Sequence, residues 1–298
     1  MPRCEFHRHV SFHALFFSGV LISGWTGCSK VINPFDSGSK QENTTVTLVA
    51  KVRDFHEGNA TSSVGTHPHF NQNKGSCDAQ ALGVKTVSEN LDTSAGTDPK
   101  FPGDNRGPVL LQPVNPAIAK CFDPPERFSD WFQDRGPDTN RAFLVNLAFD
   151  QDARTGNYVY RNNSFFPIDA GASFVKDVDG GPDPFGNLQT GTKDSVDLSL
   201  HNYGFTLELH TAFTYRQGQG QYIAFEGDDD LWAFVDGKRV VDLGGIHSAE
   251  KDSVKLDDIK DALGLADQAK CHLDFFFAER NVASSKLSIV TNVKFEVE

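Results

Sequence analysis

The sequence predicts an all-β fold, a sandwich or barrel carrying long loop insertions and one or two short helices. Three observations lead there. The 298 residues include 25 Phe, 26 Gly and 14 Pro against a single Met, a composition suited to short strands joined by tight turns. Strand-like segments recur along the chain with turn residues between them. Amphipathic stretches of helical length are few.

Taken in order, residues 44–55 alternate at Val46, Leu48, Ala50 and Val52 and make the first strand. A Gly, Asn, Ser and His loop runs on to Lys74, and 75–120 lack periodicity. Phe128-Ser-Asp-Trp-Phe suggests a short helix capped near Ser129. Residues 141–149 form a strand with Phe143, Val145 and Leu147 on one face. Further strands are expected at 157–160, 204–215, 221–226, 231–235, 239–243, 271–278 and 285–297. Residues 253–266 place Leu256, Ile259, Leu263 and Leu265 near helical spacing. The acidic stretch 177–183 lacks the glycine position and the final Glu of an EF-hand loop, and reads as a turn.

Residues 1–27 read as a signal peptide: Arg3, His7, Arg8 and His9 precede an apolar stretch, 10–24, too short to span a bilayer comfortably. Gly27 before Cys28 resembles a bacterial lipoprotein signal, with Trp25 where Leu is usual. That resemblance implies a lipid on Cys28, a polar tether over 28–43 and an exported domain over 44–298, anchored through lipid to the bacterial cell envelope at the outer membrane surface. With Cys4 removed and Cys28 acylated, Cys77, Cys121 and Cys271 remain. Export permits disulfides. Cys77 and Cys121 bracket the irregular stretch and are the favoured pair, whose link would stabilise by about 3–4 kcal/mol. Cys271 is either a buried free thiol or a partner of one of them.

A net charge of -12 without a basic run excludes a nucleic-acid partner and suits a cation. Gly227-Asp228-Asp229-Asp230 crowds three carboxylates into one turn, where like charges repel unless a cation such as calcium neutralises them. The following run, 231–243, reads as a hairpin turning at Asp236-Gly237, apolar on both faces and therefore central in its sheet.

From Gly227 to His247 the sequence resembles the core of the fibro-slime domain, a branch of the PA14 superfamily. The resemblance extends to Val52-Arg-Asp-Phe, His67-Pro-His-Phe, Trp131-Phe and Leu273-Asp-Phe-Phe-Phe-Ala-Glu-Arg, and so covers 44–298. It implies a PA14-like β-sandwich or barrel of the kind found in adhesins, toxins and glycosidase accessory regions. In its lectin branch two consecutive aspartates, joined by a cis peptide, hold a calcium ion that binds sugar hydroxyls. Asp228 and Asp229 match that pair, and Asn281 matches a further asparagine ligand, for the ion or the sugar. Asp230 stands where Gly is usual, as a third ligand or an outer acceptor. His247 either lines the rim or is satisfied by backbone, and Glu279 with Arg280 forms a structural ion pair.

The implied function is a surface lipoprotein that binds polysaccharide or a surface glycan through calcium, serving adhesion. One alternative is a structural matrix protein with a stabilising calcium site and self-association. A second is a glycoside hydrolase or its accessory module. Catalysis through Glu226 and Asp228 is not expected, because both lie on one turn and no hydrolase motif appears.

Overall fold

The computed structural model describes residues 44–56, 66–70, 75–92, 106–136, 138–169, 174–177, 200–281 and 284–296. The expected signal peptide, the tether, Cys28 and most of the 177–183 turn lie outside them. Among the described residues no helix is long and apolar enough to cross a membrane.

The fold is β-dominated, with every pairing antiparallel. The strands are β1 (Thr45–Phe55), β2 (Asn140–Gln151), β3 (Tyr158–Asn162), β4 (Phe174–Asp177), β5 (Phe205–Thr214) and β6 (Tyr222–Gly227). They continue with β7 (Asp230–Val235), β8 (Lys238–Leu243), β9 (Glu250–Lys255), β10 (Lys270–Glu279), β11 (Leu287–Thr291) and β12 (Phe295–Glu296). One sheet runs β8-β7-β10-β5-β1-β2-β3-β11-β6-β9, with β12 on β5 and β4 on β2. Its end strands β8 and β9 touch without pairing, so the sheet curls almost into a barrel.

The predicted strands all form, with ends shifted by a few residues and 285–297 divided into β11 and β12. Among the described residues one α-helix, α1 (Leu256–Leu263), occupies part of the helical stretch expected over 253–266, whose start is instead the end of β9. Gly264 ends α1 in the left-handed conformation at φ 69°. The short helix near Trp131 is a 3-10 turn at Pro125–Asp130, begun by proline rather than capped by Ser129.

Two cores explain why β7 and β10 are apolar on both faces. Inside the barrel, Leu231, Ala233 and Val235 of β7 pack with Leu273, Phe275 and Phe277 of β10 and with β1, β2, β5 and β11. Outside it, Trp232, Phe234, Phe276 and Ala278 face Phe122, Phe128, Trp131 and Phe132 from the long insertion between β1 and β2. Side chains alternate across a strand, so each strand fills both layers. Trp232 is core, its indole N–H donating to Thr86 Oγ1 at 2.8 Å.

The hairpin turns as expected at Asp236 and Gly237, both with positive φ (48° and 74°). It is not central, however: β8 ends the sheet path. Insertion backbone covers its outer edge, where Arg239 N–H donates to Glu89 O at 2.8 Å and Leu91 N–H to Gly237 O at 3.0 Å. The Cys77–Cys121 disulfide is present, with Cα atoms 6.3 Å apart, and Cys271 is a buried free thiol. Burial first, and then the nearby Asp236 carboxylate, push the Cys271 thiol up to about 11.

Candidate functional site

The three aspartates occupy the corner where β6 passes into β7, and they point to different partners. Asp229 takes φ 51°, which bends the chain between the strands. This bend replaces the expected cis bond: among the described residues the cis peptides are Gln112-Pro113 and Asp123-Pro124.

Asp230 turns inward, fully buried, and its Oδ2 accepts from Arg280 Nε at 2.7 Å and lies 2.5 Å from Nη2. Its Oδ1 accepts from Gly245 N–H at 2.6 Å. The expected third ligand is thus engaged by an arginine, and Arg280 pairs with Asp230 instead of its neighbour Glu279. Burial pushes the Asp230 carboxyl up to about 6, against the pull of the Arg280 charge.

Arg280 itself lies in the second core, its guanidinium 4.7 Å from the Trp131 ring centre and 5.1 Å from that of Phe122. Its Nη1 donates to Cys121 O at 2.8 Å, and its backbone N–H to Asp229 Oδ2 at 2.8 Å. Asp229 Oδ1 accepts from His247 N–H at 3.2 Å.

The His247 ring does not line a rim. Its Nδ1 lies 2.8 Å from Ser248 O and its Nε2 3.1 Å from Leu243 O. Burial lowers its pKa, but the two carbonyls and then Asp229 outweigh that and raise it.

Asp228 and Glu279 are less well served. Asp228 Oδ2 accepts from Ser284 Oγ at 2.6 Å, and Glu279 Oε1 from Asn281 N–H at 3.2 Å. Among the described residues, Asp228 Oδ1 and Glu279 Oε2 are buried with no hydrogen-bond partner. Burial, then the charges of Asp229 and Asp228, hold the Glu279 carboxyl well above the usual range. Burial also raises Asp228 and Asp229, opposed by the Ser284 bond in the first and by Arg280 in the second.

Asp228, Asp229 and Glu279 therefore share one acidic corner, with Asn281 directly following. As they stand, no three His, Cys, Asp or Glu side chains among the described residues are gathered tightly enough to grip a metal ion. Orphaned carboxylate oxygens are nevertheless the donor chemistry that a hard cation takes.

Sequence reasoning found Asp228 and Asp229 but missed what Glu279 and Arg280 do. The available signal was two opposite charges closing an otherwise apolar strand, Leu273-Asp-Phe-Phe-Phe-Ala-Glu-Arg. Glu226, the hydrolase candidate, is held below the usual carboxylate range first by its hydrogen bond from Lys286 and further by Lys251. Such a group stays ionised and makes a poor general acid.

No family model matches the chain. Among solved structures, the PA14 domain of MpAFP antifreeze protein overlaps 44% of this chain and 63% of its own at TM-score 0.26 and 10% identity. A PA14 sugar-binding domain from an RTX adhesin overlaps 48% of this chain and 75% of its own at TM-score 0.24 and 11% identity. Among curated proteins, the chain is similar to Protein psiH of Dictyostelium discoideum, 32% identical over 232 residues, which is 76% of this chain and 29% of psiH. Protein psiQ and Protein psiD of the same organism are 34% and 38% identical over 64% and 56% of this chain, and it covers 18% and 29% of their lengths. The chain spans less than a third of the curated relatives it matches.

Proposed function

We propose that the acidic corner binds calcium and that the domain is a PA14-like, carbohydrate-binding module of adhesion type, of the fibro-slime branch. The observation that carries this is the pair of buried oxygens, Asp228 Oδ1 and Glu279 Oε2, beside Asp229 and without a hydrogen-bond partner among the described residues. Asp228, Asp229, Glu279 and Asn281 would hold the ion, while Asp230 and Arg280 brace the loop behind them. Bound calcium would neutralise the corner and offer open coordination positions to vicinal sugar hydroxyls. His247 N–H and Arg280 N–H fix the Asp229 carboxylate, which frees it of rotamer choice before an ion arrives.

Calorimetric titration of the protein with calcium, beside Asp228→Asn and Glu279→Gln, tests the site. Saturable binding lost in both variants is expected; a wild type that takes up no calcium ends the reading. A glycan array with and without calcium then tests the sugar.

One observation favours a purely structural ion. Asp228, Asp229 and Glu279 are only 5%, 1% and 0% exposed, which leaves an incoming hydroxyl little access. In that reading calcium raises the melting temperature and no glycan binds.

Export to an oxidising compartment is supported by the Cys77–Cys121 bond. The lipid on Cys28 and attachment to a bacterial envelope form a separate proposal, which the Dictyostelium relatives do not strengthen. Labelling with a fatty-acid analogue, absent from Cys28→Ser, would support the lipid; equal labelling would remove it.

A further inference from the structure

The disulfide and the acidic corner belong to one closed ring of contacts. Residues 76–79 lie along the loop that follows β8: Cys77 N–H donates to Ile246 O at 2.9 Å, Ser76 Oγ to the same oxygen at 3.1 Å, and Ala79 N–H to Gly244 O at 3.3 Å. The approach is so close that a Cβ on Gly245 would stand 1.9 Å from Cys77 O. Two amides of that loop hold the corner, Gly245 N–H on Asp230 Oδ1 and His247 N–H on Asp229 Oδ1. From the other side, Cys121 O accepts from Arg280 Nη1, while Arg280 Nε and its backbone N–H serve Asp230 and Asp229.

Both aspartates are thus reached twice, by one arm that starts at Cys77 and by another that starts at Cys121. The S–S bond is the covalent link between the arms. Without it they are joined through a sequence separation of 44 residues. Carboxylates present their oxygens to a cation in a fixed arrangement only while their own donors stay in place, so a loosened ring is felt first as lost ion affinity. Cys77 and Cys121 are buried, so a reductant meets the sulfurs only when the insertion opens locally.

We propose that the disulfide clamps the acidic corner, so that calcium binding and the Cys77–Cys121 bond stabilise each other. This rests on the calcium reading of the corner. Reduction by a dithiol converts the bond to two thiols and the dithiol to its own disulfide, and it releases the clamp. Calcium, held by the closed corner, keeps the insertion seated and the sulfurs covered. Linkage makes the effect reciprocal: the factor by which reduction weakens calcium binding is the factor by which calcium disfavours reduction.

The test compares calorimetric calcium titrations of wild type, the Cys77→Ser/Cys121→Ser variant and Leu147→Ala. Leu147 lies in the barrel core on β2, which pairs with β1, β3 and β4, so its truncation lowers stability away from the corner. Expected is calcium binding about tenfold weaker in the paired-serine variant and unchanged in Leu147→Ala. A second arm uses wild type alone and needs no variant to fold. Reduction by dithiothreitol, read by alkylation at Cys77 and Cys121, should slow about tenfold in saturating calcium relative to EDTA. Hydrogen exchange in EDTA reads the clamp without the ion: the Gly245, His247 and Arg280 amides should lose protection in the paired-serine variant while the β1–β2 ladder keeps it. Unchanged protection at those amides, equal calcium affinity with and without the bond, reduction indifferent to calcium, or a loss matched by Leu147→Ala would each overturn the coupling and leave the calcium site standing. A wild type that takes up no calcium overturns the site and the coupling together.

Discussion

Replacing Arg280 by methionine takes away the cation from a place where Asp230 is fully buried and Asp229 is 1% exposed. One carboxylate oxygen faces both Nε and Nη2, and the guanidinium also bonds Cys121 O and lies against two aromatic rings. Removing one partner of a buried pair costs about 3–5 kcal/mol, because the other charge is left uncompensated. Against a total stability of about 5–15 kcal/mol this is a large fraction. Removing both charges costs less than the sum of the single losses, since no buried ion is then stranded. A double-mutant cycle by urea unfolding, with Arg280→Met, Asp230→Asn and the double variant, should give a coupling energy of about 1.5–3 kcal/mol. The reasoning fails if Arg280→Met costs less than about 1 kcal/mol, or if the two single effects simply add.

Opening the Cys77–Cys121 link with paired serines frees a loop spanning 44 residues of sequence separation. Chain entropy then predicts a loss of about 4 kcal/mol, read as a lower urea midpoint, and a midpoint that does not move would contradict it. His210 gives a pH signature. Burial would lower its pKa, but a hydrogen bond to Asp274 and the nearby Glu208 and Asp274 carboxylates together raise it from 6.5 to about 9. A folded value above the unfolded one means that its stabilisation, about 3 kcal/mol, is complete below pH 6.5 and lost as pH rises through 9. His210→Gln should flatten the stability profile across that window, and an unchanged slope would assign the dependence elsewhere.

How far the sequence speaks depends on what each residue contacts. Strands such as β7 and β10 were legible because Leu231-Trp-Ala-Phe-Val and Leu273-Asp-Phe-Phe-Phe-Ala are apolar runs with turn residues beside them. β9 was not, because within Glu250-Lys-Asp-Ser-Val-Lys only Val254 is buried, and a charged end strand leaves no alternating signal. The edge position of β8 was also hidden. Its apolar residues Val241 and Leu243 face the barrel core while insertion backbone covers its outer edge, and which segment covers a strand is decided by long-range contacts. At the corner, the repulsion among Asp228, Asp229 and Asp230 was readable, but not its resolution. Arg280 is 50 residues beyond Asp230, and only the β7–β10 pairing of Ala278 with Asp230 brings them together.

β1 and β12 share a consequence through their common neighbour. Both pair antiparallel with β5, β1 at Lys51–Asp54 and β12 at Phe295–Glu296, so they run in the same sense. Tension drawn on Thr45 along β1 loads the long β1–β2 ladder in shear, many bonds together, whereas β12 is held to β5 by two residue pairs. A load entering through the turn between β2 and β3 would instead peel its pairs one after another. The first geometry gives β1 the higher rupture force, and single-molecule extension from the two attachment points would measure the difference.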